Sequence, residues 1–133
     1  MYNQDFQIIN TTLNETLSRI QTNQKIVVCD PYFPIPVGAN ILDLSLIANV
    51  PSFKQLMFLI IENLHIKALV LSNEIKEHNY DYLAYLISSK LPISLSNNFE
   101  EFKYLSSQND VVLYVRVGEL TPFSNTIVVA GKA

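Results

Sequence analysis

Cysteine, glycine, histidine and charge are all scarce in this sequence, and each shortage removes a class of function. The single cysteine, Cys29, has no partner for an internal disulfide, cannot build a zinc site, and fits a reducing cytoplasm. Set in the apolar run Ile26-Val27-Val28-Cys29, it reads most simply as a small buried hydrophobe rather than a reactive thiol. With only three glycines, the chain has no GxGxxG or GxxxxGKS phosphate loop and no GxSxG nucleophile elbow. Its two histidines, His65 and His78, are not paired for a metal. Charged residues make up 16% of the chain, with a net charge of -3 and no basic stripe, which argues against a nucleic-acid partner. No apolar run reaches the roughly 18 residues that span a membrane. The opening MYNQDFQIIN has no basic segment leading into an apolar one, so the expectation is a chain without a secretory signal.

What the chain does have is apolar material. Hydrophobic residues make up 49% of 133 positions, enough for a substantial core in one domain spanning residues 1–133. So few charges on so small a domain imply that other subunits cover part of its surface, and a homo-oligomer is expected.

Periodicity divides the chain into alternating helices and strands. Phe6, Ile9, Leu13, Leu17 and Ile20 recur at spacings of three and four, an amphipathic helix with Thr12 or Asn10 as its cap. The β-branched run over residues 25–29 is a strand covered on both faces. Residues 31–40 are a proline-marked loop. Residues 41–46 alternate as a short strand, and Pro51 suits the first turn of a helix carrying Phe53, Leu56, Met57, Ile60, Ile61 and Leu64. A strand follows over 67–72, and then a helix from Asn79 with Leu83, Leu86 and Ile87. A strand over 92–95 precedes a short helix capped by Asn97 or Asn98 and carrying Phe102 and Leu105. Two last strands, 111–117 and 126–129, flank the turn GELTPFSN. This alternation predicts an α/β fold with a mainly parallel sheet and helices on both faces.

In such sheets ligands bind beyond the carboxyl ends of the strands. Asp30 stands at one such end, before a stiff loop, and reads equally as a turn cap or a functional carboxylate. Arg116, Glu119 and Asn125 surround the turn after another strand, where turn chemistry and a surface ion pair are the simpler reading. Lys103 reads as a solvated lysine, His65 as a cation at a helix end, and His78 as a loop histidine.

Five blocks, VVCDPYFPIP (27–36), LDLSLIANVPSF (42–53), NEIKEHN (73–79), EEFK (100–103) and VRVGELTPFSN (115–125), change that weighting. In order and spacing they resemble the D-ribose pyranase / L-fucose mutarotase family along nearly the whole chain, and its D-ribose pyranase branch more closely. The resemblance implies a three-layer, Rossmann-like α/β/α fold. It also implies ring-shaped cytoplasmic homo-oligomers with monosaccharide sites between neighbouring subunits, and no metal or organic cofactor. The implied activity is interconversion of sugar ring forms and anomers.

Carried over residue by residue, the resemblance assigns Asp30, Lys103 and Asn125 to the sugar hydroxyls, with Asp30 as the candidate catalytic base. The family's two acid-base histidines fall on Thr22 and Phe99, and its tyrosine on Phe123. A threonine does not shuttle protons at neutral pH as imidazole does, and phenylalanine has no proton to move. The D-A-G-L segment of the family is here Asp30-Pro31-Tyr32-Phe33, a bulkier wall. The resemblance therefore predicts a sugar site of Asp30, Phe99, Lys103, Phe123 and Asn125 with altered or weakened catalysis. Lys103 or Tyr32 is a conceivable acid. The alternatives are a non-catalytic sugar-binding protein on the same scaffold, or a purely structural ring.

Overall fold

The computed structural model describes residues 7–132. Its elements are α1 (Thr11–Arg19), β1 (Lys25–Cys29), β2 (Ile41–Asp43), α2 (Phe53–Asn63), β3 (Ile66–Ser72), α3 (Ile75–His78), α4 (Tyr80–Ser88), β4 (Ile93–Ser96), α5 (Phe99–Leu105), β5 (Val111–Arg116) and β6 (Thr126–Ala130). One six-stranded sheet has the order β2-β5-β1-β6-β3-β4. The pairs β1–β5, β2–β5 and β3–β4 are parallel, whereas β6 runs antiparallel to both β1 and β3.

The reversal of β6 follows from its connection. Parallel neighbours need a long crossover, and no helix lies between β5 and β6. The chain stays at the edge where β5 ends, so its next strand must run back. Residues 117–125 are thereby held at the carboxyl edge of β1, the edge that carries Asp30.

The strand residues of β1 explain the layers. Ile26 and Val28 point into a core shared with Leu13 and Leu17 of α1, Phe53, Leu56, Met57 and Ile60 of α2, and Leu83 and Leu86 of α4. Val27 and Cys29 point the other way, into a smaller core with Phe33, Phe102, Tyr114 and Ile127. Helices α1, α2 and α4 thus cover one face, and α5 with the 30–40 loop covers the other. All four of these β1 side chains are fully buried. Each contributes about 1.5–3 kcal/mol of transfer free energy, less for the smaller cysteine.

Several boundaries differ from the periodicity. Phe6 lies outside the described residues, and Asn10 rather than Thr12 caps α1, its Oδ1 accepting from the Leu13 N–H at 2.9 Å. The strand expected over 41–46 pairs only as far as Asp43, because Asp43 Oδ1 accepts the Ser45 N–H at 3.0 Å and turns the chain aside. Pro51 precedes the helix instead of opening it; Ser52 is the cap, in a reciprocal capping box with Gln55. His78, expected in a loop, instead ends the single helical turn α3. Of the apolar residues read on α4, Leu83 and Leu86 are buried, whereas Ile87 is 55% exposed.

Candidate functional site

β1 delivers Asp30 to the sheet edge, and hydrogen bonds then fix it. The Val117 N–H donates to the Cys29 carbonyl at 2.9 Å, aligning the end of β5 beside it. The Asp30 N–H donates to Asn125 Oδ1 at 2.8 Å, and Asp30 Oδ1 accepts the Tyr32 N–H at 2.8 Å. Both side chains are buried, Asp30 at 8% and Asn125 at 3% exposure. Burial pushes the Asp30 carboxyl above its ordinary value, against the pull of hydrogen bonds from Tyr32, Asn125 and Phe33. A carboxylate made more basic in this way is a better proton acceptor.

Aromatic rings form the ground beside this pair. Phe33 meets Phe99 and Phe102 edge-on at 6.2 and 6.0 Å, and Phe99 stacks with Phe102 at 6.4 Å. Phe99 meets Phe123 edge-on at 5.5 Å. Lys103, one turn along α5, places Nζ 5.5 Å from the centroid of the Phe99 ring and pairs with Glu100 at 3.2 Å. Phe123 holds a left-handed backbone, φ 60°, in which a bulky residue is strained by about 1–3 kcal/mol. The turn thus holds this ring in place at an energetic cost.

A polar clamp locks that turn. Asn79, the cap of α4, donates from Nδ2 to Glu119 Oε2 at 3.1 Å and to Ser124 Oγ at 2.8 Å. The other Glu119 oxygen accepts the Phe53 N–H at 2.9 Å, at the start of α2. Glu119 is therefore no ion-pair partner of Arg116, whose guanidinium bonds Asp43 at 2.9 Å. On the far side, Glu74 accepts from Ser72 Oγ and, at 2.9 Å, from the Phe99 N–H, which sets the first turn of α5. Burial pushes the Glu74 carboxyl up, but the hydrogen bonds from Ser72 and from backbone N–H groups, with the charge of His78, bring it below its ordinary value.

The fold brings Asp30, Asn125, Phe99, Lys103 and Phe123 to one edge, while Thr22 lies elsewhere. Thr22 precedes β1, at the opposite end of a five-residue strand, about 16 Å or more from Asp30 at strand rise. Its neighbour Asn23 donates its N–H to the Ala130 carbonyl at 2.9 Å, at the far end of β6. Tyr32 contributes its backbone N–H to Asp30, but its side chain is 80% exposed, beside Leu46, Ile47 and Leu120. Cys29 packs against the Val115 carbonyl, and burial pushes its thiol up to about 12, so it stays protonated and inert. Phe102, Glu74, Asn79 and Ser124 were not singled out as site residues by sequence reasoning. The motif NEIKEHN contains two of them, but their partners lie 25 to 45 residues away.

By architecture this is an α/β protein whose polar and aromatic groups gather at the carboxyl edge of an open sheet, where such folds hold ligands. More narrowly, the chain belongs to the RbsD / FucU transport protein family, whose model matches residues 4–133. It is 31% identical over 133 aligned positions to a D-ribose pyranase of Citrobacter koseri, covering 93% of this chain and 94% of that one. A D-ribose pyranase of Streptococcus agalactiae is 34% identical over 125 positions, with the same coverage. Among solved structures, Bacillus subtilis RbsD complexed with D-ribose superposes with a TM-score of 0.89 and 30% identity, over 100% of this chain and 99% of that one. The fucose mutarotase of Streptococcus pneumoniae, solved with L-fucose, shares the fold at a TM-score of 0.71 and 16% identity, over 94% of each chain.

Proposed function

We propose that this protein is a monosaccharide pyranase or mutarotase of the D-ribose pyranase type, acting on ribose or a related sugar with weakened catalysis. The observation that carries the reading is the buried Asp30–Asn125 pair beside the Phe99–Phe123 rings, on a backbone that superposes on RbsD bound to D-ribose. Changing a sugar's ring form opens the hemiacetal: one group takes the anomeric hydroxyl proton while another protonates the ring oxygen. Asp30 is the base. Asn125 and Lys103 hold sugar hydroxyls, and Phe99 and Phe123 receive the C–H face of the ring. The single domain, residues 1–133, works in the cytoplasm; no described helix is long and apolar enough to cross a membrane.

The separation of Thr22 from Asp30 supports a site shared between neighbouring subunits of a ring. In that arrangement the Thr22 edge of one copy approaches the Asp30 edge of the next. Each proton-transfer group lost is worth about 10²- to 10⁴-fold where it participates. The phenylalanines at 99 and 123 therefore favour slow turnover, or, as the second reading, binding without turnover.

Saturation-transfer NMR on D-ribose tests this. The expected result is exchange between ring forms above the uncatalysed rate, reduced about 10²-fold or more in Asp30→Asn. Line broadening of ribose without exchange supports the binder, and the absence of both effects overturns the sugar reading.

A further inference from the structure

With Phe99 and Phe123 unable to carry protons, the residues carried over from the family leave the Asp30 edge with a base and, as an acid, only Lys103, which is paired with Glu100 at 3.2 Å. Within one copy, the topology brings one of the two histidines to this edge. β3 runs antiparallel to β6, which runs antiparallel to β1, so β3 and β1 point the same way. His65 precedes β3 and lies at the Thr22 edge, where the Gly131 N–H donates to its carbonyl at 2.8 Å. His78 follows β3 and lies at the Asp30 edge. Its imidazole packs on Phe123, with ring centroids 4.8 Å apart and a 48° tilt, and is exposed. The adjacent Asn79 ties this segment to Glu119 and Ser124, in the same turn that carries Phe123 and Asn125.

We infer that His78 is a catalytic residue of this site, the proton carrier that acts opposite Asp30. The inference rests on the ring-opening reading above. In the opening step Asp30 takes the anomeric O–H proton and the freed electron pair forms the aldehyde C=O. The C1–O bond of the ring breaks, its pair going to the ring oxygen, which takes the proton of the His78 imidazolium. Closure runs in reverse through a different hydroxyl: neutral His78 accepts the proton of the attacking O–H, and Asp30 returns its proton to the aldehyde oxygen. Both groups end as they began, and no other reagent enters. Histidine suits this because its two forms interconvert near neutral pH.

Two measurements test the assignment together. The chain has two histidines, so a single His65→Gln control assigns both imidazole signals in ¹H–¹³C spectra. Titration with D-ribose is expected to shift the His78 signal and leave that of His65 in place. His78→Gln is expected to lower the exchange rate about 10²-fold with no loss of melting temperature, because the side chain is exposed. Full exchange in His78→Gln, or a His78 signal blind to ribose while the wild type exchanges, overturns the role of His78 alone. A wild type that binds ribose, shifts His78 and exchanges nothing overturns the ring-opening reading, and the proton role with it.

Discussion

With Asp30 as the proposed base, function and stability pull apart at this residue. Its folded carboxyl is raised above the unfolded value, mainly by burial, so the fold prefers it neutral. The penalty is present above the folded value and disappears as pH falls through it to the ordinary carboxylate range. Asp30→Asn keeps an oxygen for the Tyr32 N–H and removes the charge. It is expected to melt higher than wild type at pH 7 by calorimetry, with the difference closing in acid, even as exchange is lost. A lower melting point at pH 7 means that the carboxylate's hydrogen bonds outweigh its desolvation. Phe123 and Phe99 give the converse test. Phe123→Tyr combined with Phe99→His restores two proton carriers and is expected to raise ribose exchange by about 10²-fold or more by saturation transfer. An unchanged rate means that positions 99 and 123 do not limit turnover. That Asp30, Lys103 and Asn125 gather at one edge could be expected because each sits in a motif of matching spacing. The place of His78 was not, because its contact with Phe123 spans 45 positions and depends on the reversal of β6.

Among elements, the clamp of Asn79 is the piece on which the site turn depends. One side chain caps α4 and donates to Glu119 and Ser124, so its removal affects a helix and a loop together. Asn79→Ala is expected to lose about 1–2 kcal/mol by thermal unfolding, the loss of a helix cap. It should also slow exchange, as Phe123 and His78 lose their shared anchor. An unchanged rate at reduced stability leaves Asn79 a cap only. The helices α1, α2, α4 and α5 and all six strands were readable because apolar spacing reports which faces are covered. The ends were less readable, since Asp43 stops β2 and Ser52 starts α2 through side-chain hydrogen bonds that periodicity does not weigh. The direction of β6 was also hidden. The run Thr126–Ala130 is as β-branched as a parallel strand, and only the absence of a helix before it marks the reversal.

For the molecule as a whole, the apolar side chains left in water are the strongest sign of partners. Tyr32, Leu46, Ile47 and Leu120 line one hollow beside the Asp30 loop, with Leu46 76% and Ile47 66% exposed. If neighbouring copies meet there, light scattering should give a multiple of the 15.1 kDa chain mass. Leu46→Asp with Ile47→Asp should then shift it toward that of one chain. A wild-type mass of 15.1 kDa rules out the ring.

The sheet borders bear on how such copies can join. β2 and β4, the outermost strands, have three and four residues, and Asp43 of β2 is tied to Arg116. So short a border, one side of it charged, offers little backbone for another chain to zip onto. If copies do join, side-chain docking, which can reverse and close on itself, is the route this border leaves open. The same brevity guards a chain this poor in charge against fibre growth, a hazard of slow-folding, apolar β proteins in a crowded cell.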